Sequence, residues 1–205
     1  MKIIFATTNK RKISDLLKIT KDLDIEILTL DDINYNLGEI EENGNTLEEN
    51  SLIKAKTIYM FCKDNNINYP IISDDAGLFV ESLNGEPGIY TARYAEEELK
   101  NNPNLPEYEC VNKVLRKLKD NKNRKAIYKC VVTFFYEGYY FQETAYSEGV
   151  IANEIIEPIK KPYFYSVFIL KGINKVFNQL TDEELEDTYR YVALKKLIKK
   201  INCNR

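Results

Sequence analysis

Two adjacent carboxylates, Asp74 and Asp75, follow the short apolar run Tyr69-Pro70-Ile71-Ile72 and open a glycine-rich, proline-punctuated stretch that continues to Ala95. The run reads as a buried strand, with Ser73-Asp74-Asp75 emerging at its end. Open α/β sheets place their ligands at strand ends, so the pattern sets both a fold class and a place to look for chemistry. Either the acids bind a hard cation such as magnesium, which takes oxygen ligands and keeps substrate phosphates in its shell, or one caps a turn and the other is solvated.

Lys2-Ile3-Ile4-Phe5-Ala6 reads as another strand, followed by Thr7-Thr8-Asn9-Lys10-Arg11-Lys12 and an amphipathic stretch with Ile13, Leu16 and Leu17 on one face. Strand, polar turn and helix in that order leave backbone N–H groups and a positive dipole end beside Thr8, Asn9 and Lys12, where phosphate is well held. A cationic helix start is equally at home on a solvated surface.

From about Leu47 to Cys62 the spacing predicts a second helix, with Leu52, Ala55, Tyr59 and Cys62 as its apolar stripe and Asn50, Lys54 and Thr57 on the opposite face. That face is either solvated or turned toward a ligand. Near the C-terminus, Thr181 and Glu184 have the pattern of a capping box, and Leu194, Leu197, Ile198 and Ile201 give the C-terminal helix its apolar side. Arg190 lies on that same side. Its guanidinium is expected to sit in a salt bridge or face a ligand, because burying it unpaired costs several kcal/mol.

At 205 residues the chain holds one substantial core, and no internal repeat, low-complexity block or long linker divides it, so a single domain over 1–205 is expected. A net charge of −3 argues against a broad nucleic-acid-binding surface. No apolar stretch approaches the roughly 20 residues of a membrane span, and the N-terminus begins as a strand rather than a signal-peptide core, so a cytoplasmic protein with no membrane association is expected. Cys62, Cys110, Cys130 and Cys203 show no CxxC spacing and read as reduced packing residues. The absence of histidine excludes Ser-His-Asp and Cys-His catalysis and His-ligated zinc. Acid–base chemistry falls to carboxylates, lysines, tyrosines or metal-bound water.

Taken together, ATTNKRK at 6–12, EENGNTLEENSLIKA at 41–55, SDDAGL at 73–78 and GEPGIYTARY at 85–94 resemble the inosine triphosphate pyrophosphatase (ITPase) family. The likeness continues through Arg124, Cys130-Val131-Val132, Ser147-Glu148-Gly149, Lys175, Leu180-Thr181 and Arg190, in the family's order over about residues 2 to 198. Motifs at compatible spacing carry more weight together than any one of them alone.

The resemblance implies an ITPase-like α/β fold: an elongated mixed sheet with flanking helices, two lobes around a central cleft, and a homodimer. It implies a Mg2+-dependent hydrolase that cleaves nucleoside triphosphates of deaminated purines (ITP, dITP, XTP) to the monophosphate and pyrophosphate, cleaning the nucleotide pool. Carried over residue by residue, Glu41 and Asp75, with Asp74, become the metal ligands, and Asp75 the general base. Thr7, Thr8, Asn9, Lys12, Asn50, Lys54 and Lys175 become the groups that hold the phosphate chain. Ala76, Tyr163, Phe164, Tyr165, Ser166, Tyr189 and Arg190 fall at the base end of the substrate, where Arg190 would read the 6-keto group as a fixed donor.

The sequence departs from the family at that end. The usual Phe-Gly-Tyr/Trp-Asp motif appears as Tyr163-Phe164-Tyr165-Ser166, the histidine before the arginine is Tyr189, and the serine after the acidic pair is Ala76. The glycine-rich approach is replaced by Glu157-Pro158-Ile159-Lys160-Lys161-Pro162. Tyr163 or Tyr165 would serve to stack on a purine, but the same segment also reads as an alternating strand, with Tyr163, Tyr165 and Val167 on one face. The phosphate and metal groups are intact, so the alternatives are the same fold with an altered nucleotide substrate, or a nucleotide-binding sensor with little catalysis.

Overall fold

In the computed structural model, which describes residues 1–38 and 40–203, the strand β1 (Lys2–Phe5) carries Ile3, Ile4 and Phe5 fully buried. A strand apolar on both sides suits a parallel position covered on both faces. It pairs in parallel with β2 (Glu26–Leu28) and with β3 (Ile71–Val80). With β4 (Pro87–Gly88), β5 (Lys125–Tyr136), β6 (Tyr139–Ile151) and β7 (Phe168–Leu170), these form a mixed sheet of order β2-β1-β3-β5-β6-β7, β4 lying antiparallel on β3. The flanking helices are α1 (Lys10–Thr20), α2 (Leu47–Asp64), α3 (Glu96–Asn101), α4 (Glu109–Lys117), α5 (Asp182–Leu185) and α6 (Tyr189–Cys203).

The chain divides into two compact units, one of Met1–Asp75, Cys130–Ala145 and the stretch from Arg190, the other of Ala76–Lys129 and Tyr146–Tyr189. In the first, Ile4, Ala6, Leu30, Ile33, Ala55, Ile58, Cys62, Ile71 and Phe135 form a buried cluster. Leu16, Leu194 and Leu197 are also fully buried. In the second, Val111, Val114 and Leu118 are fully buried, and the rings of Tyr128, Tyr165, Phe168, Phe177 and Tyr189 pack together, Tyr128 stacked on Tyr189 at 4.9 Å. Arg124 is spent here on structure: it donates to the carbonyls of Leu118, Ile151 and Ala152 at 2.6–2.8 Å.

Several sequence readings are corrected. β3 does not end at the acids but runs on to Val80, because Leu78 and Val80 are themselves buried and Leu78 and Phe79 pair with Gly88 and Pro87. Gly77 serves that pairing rather than a loop, since a Cβ there would lie 2.4 Å from the Gly88 carbonyl oxygen. On α1, Leu16 is buried but Leu17 is 46% exposed, and Asp15 takes the inner position. The buried line of α2 is Leu47, Asn50, Ser51, Lys54, Ala55, Ile58 and Cys62, so Asn50 and Lys54 lie inward while Leu52 and Tyr59 are only half-buried.

The Thr181–Glu184 capping box is present, but it opens the short α5, and the apolar face belongs to the separate α6. Tyr163–Ser166 is a turn of 3-10 helix, not a strand. Cys62, Cys110 and Cys130 are buried free thiols, and Cys203 is exposed. No described helix is long and apolar enough to cross a membrane.

Candidate active site

Neighbouring residues on a strand point to opposite faces of the sheet, so Asp74 and Asp75, placed mid-way along β3, have separate surroundings. Asp74 is met by Lys12 of α1 at 2.9 Å on Oδ1 and by Arg190 of α6 at 3.3 Å on Oδ2. Asp75 shares its face with Ser73 and looks toward α2. There Lys54 Nζ reaches Asp75 Oδ1 at 3.2 Å, and a buried hydroxyl chain links Ser73, Ser51 and Thr133, with Ser51 Oγ 2.6 Å from Thr133 Oγ1. All of these groups belong to the first unit.

The electrostatics differ accordingly. Burial pushes the Asp74 carboxyl up, but Lys12, Arg190 and Lys54 together hold it well below the usual carboxylate range. Asp75 goes the other way. Burial raises its pKa, Lys54 opposes, and Glu42 adds to the rise. Both Asp74 oxygens are thus engaged by cations. Beneath it, Cys130 Sγ lies 4.0 Å from Oδ2, its thiol pushed up to about 12 by burial, and it is a packing group rather than a nucleophile.

The carboxylate that joins Asp75 at Lys54 is Glu42, the residue after Glu41. Glu41 is exposed, whereas Glu42 comes within 3.3 Å of Lys54 Nζ. The acidic loop is fastened to the first turn of α2: Gly44 N donates to Asn50 Oδ1 at 2.9 Å, Asn45 N to Glu49 Oε2 at 2.6 Å, and Glu49 N to the cap Thr46 at 3.1 Å. A Cβ on Gly44 would fall 2.7 Å from Glu49 Cβ and 2.8 Å from Asn50 Oδ1, so only glycine allows this approach. Its effect is to present Glu42, not Glu41, to Lys54. Glu42→Gln is therefore expected to weaken direct Mn2+ binding by ~10-fold or more, with Glu41→Gln staying within about twofold of wild type. Isothermal titration of both variants checks this.

The donor set suits magnesium. Asp75 Oδ2 is buried with no hydrogen-bond partner among the described residues. Glu42 supplies a second hard oxygen, on the same Lys54 ammonium as Asp75 Oδ1. Among the described residues no group of three or more Asp, Glu, Cys or His side chains gathers. A pair fits a cation that binds through one or two carboxylates and fills its shell with water and substrate phosphate.

The N-terminus of α1 is built by its own turn. Asn9 Oδ1 accepts from Arg11 N and Lys12 N at 3.0 and 3.3 Å, and Thr7 Oγ1 from Asn9 N at 3.2 Å, while Thr8 is exposed. Of the phosphate candidates, Lys12 and Lys54 thus join the acid pair, Asn50 holds the loop at Gly44, and Thr7 and Asn9 shape the turn ahead of Lys12.

Lys175 belongs to the second unit and pairs with Glu184 at 2.6 Å. Ala76 continues β3. Tyr165 and Tyr189 are each 2% exposed, with their hydroxyls 2.5 Å apart inside the aromatic cluster. Phe164 and Ser166 are buried too, Ser166 Oγ donating to Tyr163 O at 2.7 Å. Tyr163 is half-buried and donates its hydroxyl to Glu107.

Three groups escaped sequence reasoning: Glu42, Glu107 and Asp15. Asp15 is a buried carboxylate whose pKa burial raises against the pull of Arg190, and which accepts a bond from Tyr191. Its place one turn after Lys12 was the available signal, since residues three apart share a helix face.

A model of the Ham1 family matches residues 3–200. The chain belongs to the Ham1 family. Among Ham1 relatives, a dITP/XTP pyrophosphatase of Wigglesworthia glossinidia brevipalpis is 34% identical over 205 residues, covering 97% of this chain and 96% of the relative. The dITP/XTP pyrophosphatase of Bacillus subtilis (strain 168) is 33% identical over 202 residues, covering 96% and 94%. The structure of the Staphylococcus aureus Ham1 protein superposes with a TM-score of 0.81 at 26% identity, covering all of both chains. The mixed sheet with flanking helices is thus the Ham1 fold, and the resemblance read from the motif order holds.

Proposed function

We propose that the chain hydrolyses noncanonical purine nucleoside triphosphates, with dITP, ITP and XTP as substrates, to the monophosphate and pyrophosphate. The observation that carries this reading is the convergence of Glu42, Lys54 and the unpartnered Asp75 Oδ2 at the middle of β3, in a chain whose Ham1 relatives are named dITP/XTP pyrophosphatases. Mg2+ held by Glu42 and Asp75 would neutralise phosphate charge when bound.

The protein's own groups do the rest. Asp75 Oδ2 accepts the proton of the attacking water, which needs an acceptor in a water-poor setting. Lys54 and Lys12, with Asn50 and the turn of Thr7, Thr8 and Asn9, position the phosphate chain and offset its charge. Lys175 is a further phosphate candidate. Asp74 aims Lys12 and Arg190 rather than reacting, so Arg190 enters base recognition as a fixed donor, the property that would select a 6-keto over a 6-amino purine. A cytoplasmic homodimer is part of the same reading, and sedimentation at micromolar concentration tests the dimer.

The burial of Tyr165 and Tyr189 against each other favours one variant of this reading, in which phosphate chemistry is kept and base selection is broader. One experiment covers both. Pyrophosphate release with Mg2+ is measured from dITP, XTP, dATP, dGTP and dTTP. Preference for the first two supports noncanonical purine hydrolysis, comparable rates on all five support the broader pocket, and no release from any rules out the hydrolase.

A further inference from the structure

The carboxylates of Glu42 and Asp75 converge on one atom. Lys54 Nζ stands 3.3 Å from Glu42 Oε1 and 3.2 Å from Asp75 Oδ1, and the lysine itself is 8% exposed. Burial opposes the charge on Lys54, but Asp75, Asp74 and Glu42 outweigh it and hold the side chain as an ammonium. Lys54 therefore bridges the two acids. Across the strand Asp74 is met by Lys12 and Arg190. On the Glu42–Asp75 side, Asp75 Oδ2 has no hydrogen-bond partner among the described residues.

We propose that Lys54 is a built-in counter-cation of the Glu42–Asp75 pair, and that its ammonium must leave the pair for a divalent cation to be held by the same two carboxylates. The inference rests on Glu42 and Asp75 being the cation ligands in the proposed function. Its physical basis is direct. A lysine ammonium is a compact charge on a flexible stem with rotatable donors, so it can leave by side-chain rotation alone. Two cations on one pair of carboxylates repel each other in a site of low dielectric. The ammonium that leaves has a use, since a free positive charge beside the acid pair is what a triphosphate needs. Lys54 thus couples two events: it lowers affinity for the cation while the site rests, and it becomes available to phosphate when the cation is held.

The sign of the resulting prediction is unusual for an active-site residue. Removing Lys54 is expected to slow turnover yet tighten cation binding. Mn2+ binding without nucleotide is measured on the full chain as wild type, Lys54→Gln and Lys54→Met, with circular dichroism to confirm folding. The dissociation constant is expected to fall ~10-fold or more in the variants, because the competing charge is gone. An unchanged or weaker affinity in a folded variant overturns the proposal.

Should both variants fail to fold, the wild type decides. With lysine 15N labels, the Lys54 ammonium resonance is expected to shift or vanish on saturation with Mg2+, and a resonance that stays in place overturns the proposal. Pyrophosphate release by the wild type is followed in parallel. Its absence counts against the hydrolase reading alone, leaving cation binding to judge the role of Lys54.

Discussion

Asp75→Asn is expected to reduce kcat by ~10³-fold or more while the protein stays folded. The amide keeps the volume of the side chain and can still meet Lys54, but it cannot take a proton and is a poor ligand for a hard cation. Stability should move little, and upward if at all. Burial raises the Asp75 pKa, so at neutral pH its charge is held in the folded state at a cost, and removing that charge relieves it. Steady-state pyrophosphate release and a thermal melt, run on one preparation, measure both effects. A variant with wild-type turnover would end the assignment of Asp75 as the base.

The neighbouring substitution should behave in the opposite way. Asp74→Asn is expected to cost about 3–5 kcal/mol, because it leaves the buried Arg190 and the partly buried Lys12 without their shared counter-charge. For a chain of this size that is a fall in Tm of roughly 6–20 °C. The pH dependence follows from the depressed pKa of Asp74. A carboxylate held below its unfolded value contributes stability that is fully present above about pH 3.9 and is lost only as pH falls through the folded value. The Tm difference between wild type and Asp74→Asn should therefore be constant from neutral pH to about pH 5 and narrow only in stronger acid. Thermal melts at several pH values check it, and equal Tm values for the two Asn variants at neutral pH would contradict the division of labour between the acids.

That division was not legible in the sequence, although the acids were. Asp74 and Asp75 stood out because two charges beside an apolar run demand an explanation. Assigning them different tasks required knowing that they lie mid-strand, and the strand reading stopped at Ile72. The apolar residues from Ala76 to Val80 continue the strand, but glycines nearby made them look like a loop.

The choice of Glu42 over Glu41 was likewise out of reach, because a loop has no period to count and its geometry comes from the approach of Gly44 to Asn50. On α2 the extent of the helix was read well and its orientation was not. Apolar side chains were taken to define the inner face, yet the buried line includes Asn50 and Lys54. A helix that lines a polar site buries functional groups alongside its core, and periodicity alone cannot tell the two faces apart. The capping box at Thr181 was read correctly as a helix start, but Glu186–Thr188 separates α5 from α6. The strongest signals were those built on local chemistry: β1, the polar turn that opens α1, and the motif order.

The alternation along β3 also bears on how such a gene can change. In most proteins a lost or gained residue near a site alters the length of a connection, and neighbouring loops absorb it. Here a one-residue deletion between Ile71 and Ser73 would turn each acid to the opposite face, setting Asp75 against Lys12 and Arg190 and Asp74 in the place of Ser73 beside Ser51. Both carboxylates would remain in the protein, and neither would be where its partners are. Length variation in this lineage is accordingly expected upstream, in the exposed turn at 65–66, where an added residue leaves the frame of the strand unchanged.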